Sequence, residues 1–86
     1  MKTLFLLMAE YNSVSVELNK CYKHLGYNTP ENAQRAASDY SLPVPWYRAL
    51  DSQRSPRMVM LEDLANFIDE KVNFARQEYQ AIRGGR

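Results

Sequence analysis

A mainly α fold with a small β-hairpin is what the sequence predicts, and three observations carry that reading. An apolar stripe at helical spacing is stopped by Gly26, and Thr29-Pro30 follows within one turn, which gives two helices joined by a short connection. The stretch from Leu42 to Glu70 then reads as an apolar-aromatic run, an arginine-rich polar turn, a second apolar run and an amphipathic helix. Apolar residues spaced by three and four continue well beyond what a compact domain needs to close its core. The order helix, helix, wing, helix is that of a winged helix-turn-helix with an extended C-terminal helix. Residues 1–71 are expected to form this DNA-binding domain, and 72–86 an extension of the last helix with a short tail.

Each element has a local reason. Residues 3–11 are apolar enough to be core, as a short buried helix or a strand; so brief a run does not separate the two. Leu18, Cys21, Tyr22 and Leu25 repeat at i, i+3, i+4, i+7, which predicts a helix from about Val16 to Leu25. The next helix spans about 30–40: the Thr29 hydroxyl can cap, Pro30 suits the first helical position, and Glu31 faces the positive end of the dipole. Ala33, Ala36, Ala37 and Tyr40 form its apolar face. Leu42-Pro43-Val44-Pro45 is extended, because each proline lacks an N–H donor and restricts the residue before it. Trp46–Leu50 and Met58–Leu61 are the expected strands, with 51–57 as the turn between them. Trp46 and Tyr47 alternate across the first strand, and core packing is the default for both. The last helix starts near Glu62-Asp63, follows the seam Ala65, Ile68, Val72, Ala75, Tyr79 and Ile82, and ends at Gly84-Gly85.

Composition narrows the function. The 86 residues make one domain, and 45% hydrophobic content argues against wholesale disorder. A net charge of +1 argues against a non-specific nucleic-acid coat protein, but leaves room for cations gathered on one face. The single cysteine, Cys21, allows no internal disulfide and no CxxC metal pair, so a reducing, cytoplasmic location is expected. The apolar run Leu4 to Ala9 is shorter than the roughly 7–15 residues of a signal-peptide core, and no membrane partner is expected. Catalysis finds no support: His24 is alone, Cys21 lies on the apolar stripe, and there is no glycine-rich phosphate loop or nucleophile elbow. The chain is therefore not expected to be an enzyme or to hold a metal or cofactor.

Two sets of residues carry the DNA-binding expectation. The outer face of helix 30–40 presents Asn32, Gln34, Arg35 and Ser38, whose donors and acceptors match base edges in a major groove. The wing concentrates Arg48, Gln53, Arg54, Ser55 and Arg57 against one acid, Asp51, which suits phosphates or a narrow minor groove. A third set, Val72, Ala75, Tyr79 and Ile82, is expected to serve self-association, with alanine in the seam making a weak coiled coil.

The order FLLMAEY at 5–11, Thr29-Pro30-Glu31, Arg35, Leu42-Pro43-Val44, Ser52-Gln53-Arg54-Ser55, Leu61-Glu62-Asp63-Leu64-Ala65 and Phe67-Ile68-Asp69 resembles the pyocin activator protein family. The likeness is collinear over residues 1–71. It implies a small transcriptional activator of a phage or bacteriocin-like gene cluster, of a kind that recurs in prophages. The strand-wing-helix half is also similar to phage excisionases, which implies the alternative of an architectural protein that bends DNA at an attachment site. A third reading, from a different class, is a phage-borne protein that grips and modulates a host protein. The partners expected are double-stranded DNA, with RNA polymerase or another host protein as a further candidate, and a second copy as a homodimer or a cooperative oligomer on DNA.

Overall fold

The computed structural model describes residues 2–84. Helix α1, Lys2–Tyr11, resolves the first ambiguity in favour of a helix. Leu4, Leu7 and Tyr11 turn inward at i, i+3, i+7, whereas Phe5, Leu6 and Met8 stay exposed. Asn12 closes α1 in the left-handed region (φ 53°), a conformation asparagine tolerates better than most residues.

Strand β1, Ser15–Glu17, leads directly into helix α2, Leu18–Cys21, which tightens into a 3-10 turn over Tyr22–Leu25. The expected helix from Val16 thus begins two residues late. Val16 belongs to a strand whose partner lies far along the chain, and no local signal marks it. Gly26 ends the segment as expected, with φ 95°. Helix α3, Pro30–Ser38, is capped by Thr29, whose Oγ1 accepts from the Asn32 backbone N–H at 3.2 Å. It stops short of Tyr40, which adopts φ 56°. The Ser41 N–H donates to the Ala36 carbonyl and the Tyr40 N–H to the Ala37 carbonyl, a Schellman closure with tyrosine where glycine is usual. Tyr40 is consequently not on the apolar face of α3: it is 83% exposed and stacks on Trp46, with ring centroids 5.9 Å apart.

Strand β2, Met58–Met60, pairs antiparallel with β1 in the register Ser15↔Met60, Val16↔Val59, Glu17↔Met58. The small antiparallel sheet is present as expected, but its first strand is Ser15–Glu17 rather than Trp46–Leu50. Trp46–Leu50 is not a strand; it contributes one bridge, Tyr47↔Met58, on the other side of β2. The physical reason lies in the loop. Pro56 has no donor for a ladder, and Ser55 turns back locally, its N–H reaching the Ser52 carbonyl and its Oγ accepting from the Leu50 N–H. Helix α4, Leu61–Gly84, follows β2 without a break, and Glu62 and Asp63 occupy its first turn. Gly84 lies within the helix, and Gly85 falls outside the described residues.

The core forms where β1, β2, α2, α3 and the first turns of α4 meet. Leu18, Leu61, Leu64, Val59 and Cys21 are its largest fully buried side chains. Ala33 and Ala37 are also fully buried, and their small size lets α3 lie close to α2. Helix α1 packs along the first half of α4, where the Thr3 hydroxyl donates to the Asp69 carboxylate. Beyond Lys71, α4 runs into solvent. The extents are 55 × 28 × 17 Å and the radius of gyration is 15.0 Å, against about 12 Å for a compact chain of this length.

Candidate functional site

The face shared by α3 and the loop 46–57 is organised around Arg57. Its guanidinium donates through Nη1 to the Gln34 side-chain carbonyl and through Nη2 to the Ser38 hydroxyl, the latter at 2.9 Å. The same group lies over the Trp46 ring, 4.8 Å from its centroid. Gln34 and Ser38 are one turn apart on α3, so one forked side chain reaches both. Gln34 passes the connection on, donating to the Asn19 side-chain carbonyl of α2 at 2.8 Å. The Nε of Arg57 is buried and has no hydrogen-bond partner. The indole face beneath the cation offsets part of that desolvation.

The other loop residues divide into anchored and free. Arg48 donates through Nε to the Ser55 carbonyl at 3.0 Å and also lies over Trp46, 5.3 Å from the centroid. Gln53 and Arg54 are exposed at the tip, where the Arg54 backbone N–H is held by the Ser52 hydroxyl at 3.1 Å. On α3, Asn32 and Arg35 are exposed. Arg35 lies roughly 60° around the helix from Ser38, on its outer side. A shallow cleft runs between helix pair and loop, lined by Asn19, Gln34, Arg48, Gln53, Arg54, Ser55 and Arg57, with Glu17 as its acid.

The structure therefore brings two of the sequence-predicted sets together and sorts them. Gln34 and Ser38 are committed to Arg57 rather than left open. Arg57 sits at the end of the loop beside β2, not at its tip. Asn32, Arg35, Gln53 and Arg54 remain available. Sequence reasoning missed Asn19, and it missed Trp46 as the shared platform for two guanidinium groups and Tyr40. A tryptophan just ahead of three arginines in ten residues was the available signal, but its meaning depends on the fold of the loop.

The self-association set lies elsewhere. Val72 is 37%, Tyr79 60% and Ile82 70% exposed, and with Ala75 they follow one side of the projecting half of α4. Arg83 lies over the Tyr79 ring and donates to its hydroxyl at 2.8 Å, an i, i+4 pair near the end of the helix. The two candidate reactive groups are quiet. Burial pushes the Cys21 thiol up to about 11. His24 is exposed, with its Nε2 3.1 Å from the Tyr11 hydroxyl. Burial, and then the neighbouring Glu10, raise the Tyr11 phenol above its ordinary value. Among the described residues, no helix is long and apolar enough to cross a membrane.

No curated protein and no solved structure matches the chain. A family model does: that of pyocin activator protein PrtN, over residues 3–75. The match takes in α1, both strands, the α2–α3 pair, the loop and the packed half of α4. With that span, the chain belongs to the pyocin activator protein family, a regulatory and non-enzymatic one.

Proposed function

We propose that this protein is a sequence-specific DNA-binding activator of a phage-related or pyocin-like gene cluster, acting in the cytoplasm as a winged helix-turn-helix. The observation that carries the reading is the bridge from Arg57 to Gln34 and Ser38, which holds the outer side of α3 and the arginine loop on one surface. In this reading α3 enters a major groove with Asn32 and Arg35 toward the bases, and Arg54 with Gln53 meets the adjacent backbone. The near-neutral net charge is compatible with this, because the cations are local. The family membership supports the activator role over the excisionase alternative, and no separate observation favours a host-protein target.

Fluorescence anisotropy on a duplex selected by the wild-type chain, compared with random duplex, tests the reading. Arg54→Ala lowers affinity for both duplexes and reduces the salt slope by about one. Arg35→Ala costs about 1–3 kcal/mol on the selected duplex and little on the random one. Absence of binding to either duplex by the wild-type chain would sink the proposal. The exposed seam Val72, Ala75, Tyr79, Ile82 supports a homodimer as the binding species, since paired copies would read two half-sites.

A further inference from the structure

We infer that Arg57 determines DNA specificity without touching DNA, by setting the position of the 46–57 loop against α3. The inference rests on the DNA-binding reading above and assigns a positioning role within it.

Four contacts converge on this residue, and together they join α2, α3 and the start of the loop. Its backbone carbonyl accepts from the Leu18 N–H at 2.8 Å, tying the end of the loop to the first residue of α2. Its guanidinium reaches Gln34 and Ser38 on α3 and lies over Trp46 at the start of the loop. The sheet holds the early arm of the loop through the bridge Tyr47↔Met58 and the Tyr47 hydroxyl, which donates to the Ser15 hydroxyl at 3.0 Å, but neither contact reaches α3. Among the described residues, the hydrogen bonds from the loop to α3 come from the Arg57 side chain. The geometry also removes Gln34 from base reading. Its carbonyl is held by Arg57 and its amide donates to Asn19, so the groups that would pair with an adenine edge are already engaged. Lysine cannot substitute: a single ammonium has no planar fork for two acceptors and no flat face to lie on an indole.

The test uses the full chain and Arg57→Lys, which keeps the charge. On the selected duplex, Arg57→Lys loses discrimination against random duplex by about tenfold, with the salt slope unchanged. Gln34→Ala and Arg57→Ala each lose discrimination, and the double variant loses no more than the worse single one, because both act through the same bridge. A salt slope lowered by about one in Arg57→Ala, with discrimination intact, would make Arg57 a phosphate contact and overturn the inference. Additive losses in the double variant would return Gln34 to direct base reading and do the same. A DNA-free arm keeps the two proposals distinguishable. Trp46 is the sole tryptophan, so Arg57→Lys shifts its emission to the red and raises acrylamide quenching while thermal unfolding remains cooperative. Unchanged Trp46 emission would refute the coupling even if wild-type DNA binding is intact. Changed emission in a chain that binds no duplex would leave the coupling standing and sink the functional reading alone.

Discussion

The two halves of α4 share one periodicity and meet opposite fates. From Leu61 to Ile68 the seam is covered: Leu61, Leu64 and Ala65 are buried, and Phe67 and Ile68 pack against them. From Val72 to Ile82 the same spacing continues, and every residue is exposed. The difference is the neighbour. Helix α1 lies along the first half and reaches Asp69 through Thr3; nothing among the described residues lies along the second. An amphipathic pattern states that a face is suited to burial, not that something covers it. The packed half owes its helicity to tertiary contact, whereas the projecting half depends on local pairs such as Tyr79–Arg83 and on whatever docks against it.

The strongest way to break this comparison is in the packed half. Leu64→Ala removes a fully buried side chain and should cost about 2–5 kcal/mol in urea unfolding. A cost below 1 kcal/mol would mean the site collapses freely and the core is not packed as described.

A smaller effect sharpens the same side through pH. Cys21 is fully buried, and its thiol is raised from 9.0 to about 11. Folding therefore favours the neutral thiol. That contribution is complete below the unfolded value and is lost as pH climbs from about 9 to about 11, amounting to of order 2 kcal/mol. Unfolding titrations should show an alkaline loss of stability that Cys21→Ala reduces. In the same range, an exposed thiol would react promptly with a disulfide reagent, and Cys21 should not.

The smallest effect on stability belongs to the projecting half. Tyr79→Ser with Ile82→Ser should change monomer unfolding by no more than about 0.5 kcal/mol, while sedimentation of the wild type shows a dimer that the double variant lacks. A stability loss comparable with Leu64→Ala would mean that the tail folds back onto its own domain. Identical sedimentation of the two proteins would leave the seam without a second copy.

How much of this was legible beforehand divides along the same line. Three helix boundaries were legible: Gly26 ends its helix, Thr29 caps α3, and Glu62 and Asp63 sit in the first turn of α4, whereas the start of α2 and the end of α3 were not. The mainly helical fold with a small antiparallel sheet was legible too. The pairing of β1 with β2 was not. Val16 and Val59 are adjacent in space but far apart in the chain, and three-residue strands carry too little alternation to announce themselves. The candidate site was half legible. The arginines and the α3 face were identifiable as residue types in the right segments, but not which of them would be consumed in holding the others.

What the sequence by itself determined lies within one or two turns of backbone: the Thr29 cap, the Gly26 stop, and the spacing that prepares a face for contact. Only the tertiary structure decided which faces found a partner and that Arg57 bridges the loop to α3. The physical reason is range. Cap hydrogen bonds and side-chain periodicity act between residues a few positions apart, whereas a cation on an indole or a strand beside a strand exists only after the chain has closed the loops between them.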